Sequence, residues 1–318
     1  MLDKADKRIL FELERNARIT DSAIAKIVRK SKDSVRYRIR KLEEQKVILG
    51  YRTWIDYSKL GYRTSTIYLN IINLPEKKDK LLQELKKDKR VYWLGVAEGV
   101  WNMGITYFIK SNEELFELKN ELLSKYKDLI VDSKITSLAS VSVHEKTFLV
   151  NEASSFITFT EEVGNYELDT IEKRILKELY NNSKANLSDI AFKTNSTIDI
   201  VRGRMKKLEK LGIIIRYSIY INYQKIGYEL YKSFIYLGSH DKEEFKEIIN
   251  YSEKSEKIIN IVKQIAPWDL ELVIFAKNFE DYLLTIDELT KTNPKLFKRF
   301  ETSIMSEDII FPCNEVNF

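Results

Sequence analysis

The stretch "SKDSVRYRIRKLEEQKVILGY", Ser31–Tyr51, has a second version in the same chain, "TIDIVRGRMKKLEKLGIIIRY", Thr197–Tyr217. The two align without a gap at an offset of 166, and nine of the 21 positions are identical. Val35, Ile39 and Leu42 fall at i, i+4 and i+7, the spacing of one buried helix face. Val201, Met205 and Leu208 repeat that stripe. At 100° per residue, Asp33, Tyr37, Arg40 and Lys41 point away from it, with Ser34 and Arg36 on its flanks and Arg38 nearer the buried edge. Each helix runs into an apolar, β-rich segment, "VILGYRTWID" or "IIIRYSIYIN", which reads as a small hairpin.

The repeat extends outward. "LDKADKRILFEL", residues 2–13, matches "LDTIEKRILKEL", residues 168–179, at the same offset, and "KLGY" at 59–62 matches "KIGY" at 225–228. Trp101 pairs with Trp268 at an offset of 167. The chain is therefore an old duplication, with a period too long for a solenoid of short units. In each copy a helix carrying Ile9, Leu10 and Leu13 (or Ile175, Leu176 and Leu179) comes first. A short helix with Ile24 and Ala25 (or Ile190 and Ala191) on its inner face follows, and then the long helix. Asp169 with Glu172 reads as a capping box; Asp3 with Asp6 is a weaker version. The remainder of each copy reads strand–helix–strand–strand–helix–strand, the βαββαβ pattern of a ferredoxin-like domain.

The expected fold class is thus α+β, with two copies of a winged helix-turn-helix followed by a ferredoxin-like domain. The boundaries are 1–62 and 63–150 for the first copy, 151–167 for a linker without a counterpart, and 168–228 and 229–318 for the second.

Composition narrows the function. The 318 residues carry 53 Lys and Arg against 48 Asp and Glu, a net charge of only +5. That excess does not imply nucleic acid by itself, so its distribution decides. Residues 26–46 hold nine Lys or Arg against three Asp or Glu, and residues 192–212 hold six against two. A basic third helix after two short ones reads the major groove. The expected partner is double-stranded DNA. The expected contacts are Lys32, Ser34, Arg36, Tyr37, Arg40 and Lys41 in the first copy, and Arg202, Arg204, Lys206 and Lys207 in the second. Arg addresses guanine bidentately, while Ser and Tyr bond phosphate or a base edge. A basic amphipathic helix is often only a solvated face; here the three-helix setting, the hairpin after it and the repetition favour DNA.

Cys313 is the only cysteine, so neither an intrachain disulfide nor a multi-cysteine zinc site is expected, and a reducing cytoplasm is. The opening "MLDKADKRIL" does not read as a signal peptide. No run approaches the roughly 18 apolar residues of a membrane span. No phosphate loop, metal-spaced cluster, nucleophile motif or cofactor site is recognisable, and no catalytic residue is assigned.

"LDKADKRILFELERNARIT", "AIAKIV", "SKDSVRYRIRKLEEQKVILGYRTWID" and "KLGY" together resemble the Lrp/AsnC (leucine-responsive, feast/famine) family of prokaryotic transcription regulators, and both copies share the resemblance nearly end to end. It implies a ligand-sensing role for the βαββαβ domain, pairing through the sensing sheets, and palindromic sites. Here the two sensing domains are expected to pair as an internal pseudo-dimer, with further homo-oligomers left open. The family's effector loop carries Gly-x-x-Asp. Copy one has Gly99-Val-Trp-Asn102 and copy two Ala266-Pro-Trp-Asp269, so each keeps one of the two. The expected effector contacts for a small molecule are Gly99, Trp101, Asn102, Trp268 and Asp269, although core filling is the commoner role of such tryptophans. Gly212 follows the second long helix as the family often has it; copy one has Lys46. Sirohaem decarboxylases resemble the same family and are associated with a histidine-rich motif. The two histidines here, His144 and His240, occupy non-equivalent positions and read as surface or capping residues. An enzyme is not expected, and an architectural DNA protein without effector is the other alternative.

Overall fold

The computed structural model describes residues 2–152, 155–160 and 162–311, so Cys313 lies outside the described residues. The first copy runs α1 (Lys4–Arg15), α2 (Asp21–Val28), α3 (Lys32–Glu44), β1 (Ile48–Ile55), β2 (Arg63–Ile71), α4 (Pro75–Leu85), β3 (Val91–Gly99), β4 (Met103–Ile109), α5 (Asn112–Lys125) and β5 (Ile130–His144). After β6 (Phe156–Thr160), the second copy repeats this as α6 (Thr170–Asn181), α7 (Leu187–Thr194), α8 (Ile198–Lys210), β7 (Ile214–Ile221), β8 (Glu229–Leu237), α9 (Lys242–Lys254), β9 (Ile258–Ile265), β10 (Leu270–Ala276), α10 (Phe279–Thr290) and β11 (Phe297–Ile310). No helix among the described residues is long and apolar enough to cross a membrane.

Local chemistry sets the helix starts. Asp3 and Asp169 each accept from the third helical N–H while Asp6 and Glu172 reach back, so both capping boxes are complete. The Asp3–Asp6 version is as fully formed as the other. Ser31 and Thr197 cap α3 and α8 through their hydroxyls. The stripes Val35, Ile39, Leu42 and Val201, Met205, Leu208 are buried.

The hairpin expected after each long helix does not form. Each copy supplies a single strand, and β1 pairs antiparallel with β7 of the other copy, Arg52 opposite Ser218 and Thr53 opposite Tyr217. Reciprocal bonds close the ribbon: Asp56 N–H to Ile213 O at 2.9 Å and Asn222 N–H to Val47 O at 2.8 Å. The reason is burial. Ile219 and Ile221 of β7 complete the core of α1–α3, and Ile55 of β1 completes that of α6–α8. A turn back within one copy would strand those side chains in water. The exchange is finished symmetrically by Arg18 over the Tyr217 ring at 5.3 Å and Lys184 over Tyr51 at 5.1 Å. The two helical heads are one interlocked unit.

Below them, each ferredoxin-like domain forms its four-stranded sheet, β5-β2-β4-β3 and β11-β8-β10-β9. One face of each is packed by two helices: Ile67, Leu69 and Ile105 lie under α4 and α5, and Ile235, Leu272 and Ile274 under α9 and α10. The last strand of each copy is long. The first half of β5 pairs with β2 and its second half with β9 of the other copy. Likewise β11 pairs first with β8 and then with β3. The two sheets therefore join within one chain. The pairings run in a closed circuit through β2, β4, β3, β11, β8, β10, β9 and β5, with β6 added to β5. That leaves few free edges.

Residues 151–167 are more than a tether. Their strand β6 pairs with β5, Phe159 opposite Val141. Gly164 N–H and Tyr166 N–H then bond Ser58 O and Lys59 O at 2.8 and 3.0 Å.

Candidate nucleic-acid interface

On the first head, α3 turns Lys32, Arg36, Tyr37, Arg40 and Lys41 outward, with Ser34 partly covered. Tyr37 is 57% exposed. The acidic partners of these cations are solvent-facing or loose. Arg36 Nε lies 3.4 Å from Asp21, and Arg40 Nε lies 3.6 Å from Glu44. Exposed pairs of this kind contribute about 0–1 kcal/mol and exchange readily for phosphate. Arg40 also sits 6.0 Å from the centre of the Tyr37 ring. Arg38 behaves differently: its guanidinium bonds Asp3 and Asp6, both at 2.7 Å, and locks α3 to the start of α1. The backbone N–H of Asp6, and after it Arg38, hold the Asp3 carboxyl below its ordinary range.

On the second head, α8 turns Arg202, Lys206 and Lys207 outward. Arg204 does not join them. It is the counterpart of Arg38 and bonds Asp169 at 2.9 Å and Glu172 at 3.3 Å. It is expected from the sequence as a DNA contact; in the structure its guanidinium is held by these two acids, as its place beside the buried stripe allows. Lys207 reaches the same Glu172 at 2.9 Å and lies over the Tyr166 ring. Both heads thus bring a basic helix to the surface, but the second ties down more of its charge. It also presents apolar groups where the first is polar. Ile198 and Ile200 are exposed at the positions of Lys32 and Ser34, and Phe192, 87% exposed, stands at that of Lys26.

The expected effector residues are brought together but are consumed by packing. Asn102 accepts from Ile71 N–H at 2.9 Å and donates to Ile71 O at 2.8 Å; Asp269 accepts from Leu237 N–H at 2.7 Å. Both side chains staple their loop to the first sheet strand. Trp101 and Trp268 are buried, 6.5 Å apart between ring centres, in one cluster with Tyr68 and Phe234. Gly99 has φ +139°, and a Cβ there would lie 2.3 Å from Thr302 O. Gly99, Trp101 and Trp268 lie at the seam between the two sheets, while Asn102 and Asp269 each tie a loop to a strand of their own copy.

The histidines fall apart from one another. His240 is exposed, its Nδ1 2.8 Å from Gly238 O. His144, expected as a surface or capping residue, is 1% exposed and stacks on Phe156. The cause is β6, which covers that part of β5. Sequence reading also passed over Arg52 and Lys146. They line a chamber between the heads and the joined sheets. The available signal was a lone arginine inside the β-rich run "YRTWI".

A family model described as winged helix-turn-helix DNA-binding matches residues 2–48 and again 168–215. The HTH-type transcriptional regulator LrpA of Pyrococcus abyssi is 34% identical over 125 residues, which cover 39% of this chain and 88% of that protein. An uncharacterized HTH-type transcriptional regulator of Pyrococcus horikoshii is 29% identical over 133 residues, 40% of this chain and 88% of that protein. Among solved structures, that of the siroheme decarboxylase NirDL matches 96% of this chain and 92% of that chain with a TM-score of 0.64 at 13% identity, a likeness of fold. Nearly a whole LrpA fits into two-fifths of this sequence, as a duplicated chain requires. This chain belongs to the Lrp/AsnC family of HTH-type transcriptional regulators, with two copies of the family's unit on one polypeptide.

Proposed function

We propose that the chain regulates transcription by laying α3 and α8 on the two halves of one imperfect palindrome, with α3 the more selective reader. The observation that carries this is the outward set Arg36, Tyr37, Arg40 and Lys41 on a head locked to its twin by the β1–β7 ribbon. A fixed pair of heads suits half-sites one helical turn apart, about 34 Å. Holding both on one chain raises the effective concentration of the second. Lys32 and Ser34 complete the first surface; Arg202, Lys206 and Lys207 anchor the second on phosphate. Further copies of the chain associate, if at all, through surfaces outside the internal sheet junction.

Replacing Arg36, Arg40 and Lys41 by Ala tests the reading. Binding to a genomic fragment should weaken, and each lost phosphate contact should reduce the log–log salt slope by about 0.9. An unchanged slope and affinity would place the interface elsewhere. Mapping bound sites across the genome then separates a regulator from an architectural protein, which would show little sequence preference.

One observation favours a second, enzymatic reading: a chamber with buried cations in a fold shared with a siroheme decarboxylase. Against it, the buried His144 does not line that chamber, and His240 is on the surface. On the regulator reading, the purified chain incubated with sirohaem releases no carbon dioxide.

A further inference from the structure

The chamber has a volume of about 510 Å³. Its roof is the β1–β7 ribbon, through Arg52, Trp54 and Tyr220, and its walls are the sheet faces turned away from the helices. Strand alternation puts them there: Ile67 and Leu69 go to the helices, Thr66 and Tyr68 to the chamber.

Its charge is uneven. On one wall Lys232 is satisfied, 2.7 Å from Glu271 and 4.0 Å over the Trp93 ring. Glu271 also accepts from Tyr68 and Gln264, each at 2.7 Å. The roof end lacks such balance. Lys146 is 5% exposed, and its ammonium donates only to the His144 carbonyl, at 3.1 Å, among the described residues. Arg52 lies 4.3 and 4.4 Å from the ring centres of Trp54 and Tyr220. Its Nε finds no hydrogen-bond partner among the described residues. The buried carboxylate acting on Lys146 is Glu14, itself 3.4 Å from Arg216. Arg52 and Arg216 both act on Lys146 as well, and of the other acids that line the chamber Asp56 is taken by Ser58 and Glu307 by Lys86. Asp308, the other acid acting on Lys146, is exposed and accepts from Trp93 at 2.6 Å. Burial disfavours the Lys146 charge, Glu14 offsets this only in part, Arg216 and Arg52 add to it, and the pKa comes down to about 8. Uncompensated charge of this kind is costly and is relieved by an anion.

We infer that this chamber is a binding site for an aromatic carboxylate, its acid group held by Arg52 and Lys146 and its ring body by the aromatic walls. Tyr92, Trp93, Phe159, Tyr223 and Phe275 supply those walls. A small inorganic anion would meet the cations and leave most of the volume unfilled. A neutral aromatic compound would fill the volume and leave the cations unpaired. The bound acid touches β1 and β7, which join the heads, and strands of both sensing sheets. It is therefore placed to bias the spacing of the heads, and it deepens the sensing half of the regulator reading with a site other than the Trp101 and Trp268 loops.

The test is titration calorimetry on the full chain without DNA, so that its failure leaves the DNA reading untouched. The probes are 2-naphthoate, the neutral 2-naphthamide and inorganic phosphate. The acid should bind about tenfold or more tighter than the amide, and phosphate should not displace it. Lys146→Met and Arg52→Gln should each weaken the acid by about tenfold while the amide is unchanged. Lys146→Met removes a buried charge and is expected to fold; Lys146→Arg should keep the acid's affinity if it does not. Equal binding of acid and amide, displacement by phosphate, affinity indifferent to both substitutions, or no binding of the acid would each overturn the proposal.

Discussion

His144 makes acid stability a one-residue question. Burial, with Lys146 nearby, lowers its pKa from 6.5 to about 4. The unfolded chain therefore binds one more proton than the folded one between those values. Stability contributed by keeping the ring neutral is complete above pH 6.5 and is lost as the pH falls toward 4, by up to about 3 kcal/mol. In His144→Phe, which keeps the stacking on Phe156, urea midpoints between pH 4 and 6.5 should flatten. A slope as steep as that of the parent would assign the loss to other groups. A second position concerns backbone. Lys46 holds φ +57° where Gly212 holds +70° in the other copy. A lysine pays for the left-handed conformation that glycine adopts freely. Lys46→Gly should gain about 0.5–1 kcal/mol in chemical denaturation after the unfolded-state entropy of glycine is subtracted; a loss would mean that the lysine side chain has an unseen role.

At the scale of elements, α3 and α8 share a scaffold and differ in what they display. A Cβ on Gly203 would meet nothing within 4 Å, so no close helix contact explains that glycine. Gly203→Ala should therefore stabilise α8 by about 1 kcal/mol, read as a raised melting temperature. Gly203 faces outward where Tyr37 does, and Ile200 where Ser34 does. Footprinting with each half-site scrambled in turn should cost more affinity on the α3 side; equal losses would rule the asymmetry out. These helices were legible in the sequence, because a 3.6-residue apolar period and a capping residue are local signals. So was the βαββαβ order. The β1–β7 ribbon was not. A lone β-rich run says that it needs a partner strand and is silent on which, and the choice was made by Ile55, Ile219 and Ile221 finding cores in the other copy. Residues 151–167 misled for the opposite reason: polar ends flank a short alternating "FITFT" whose partner, β5, is supplied by the sheet. The Trp101 and Trp268 loops were found, yet spacing alone could not tell a pocket from a seam. The chamber escaped altogether, since Arg52, Lys146 and Phe159 meet only once the circuit closes.

Across the whole molecule, duplication has become dependence. Each head borrows its last core strand from the other, β3 completes its pairing with β11, and β5 with β9. Cutting the chain at the linker would expose the second half of β5 and the β1 edge together with Ile55, which is buried against the other copy in the intact chain. Each buried isoleucine of this kind contributes about 1.5–3 kcal/mol, and a domain's net stability is only about 5–15 kcal/mol. Residues 1–150 alone should therefore not persist as a folded monomer. They should either unfold or self-associate by pairing β1 with a second β1. The intact chain should unfold in urea as one transition seen alike by tryptophan fluorescence and far-ultraviolet dichroism. Light scattering on the half-chain and two-probe unfolding of the whole decide the matter. A compact, monomeric half-chain, or two separated transitions in the intact protein, would mean that the copies still stand independently and that the shared strands are a late decoration of two self-sufficient units.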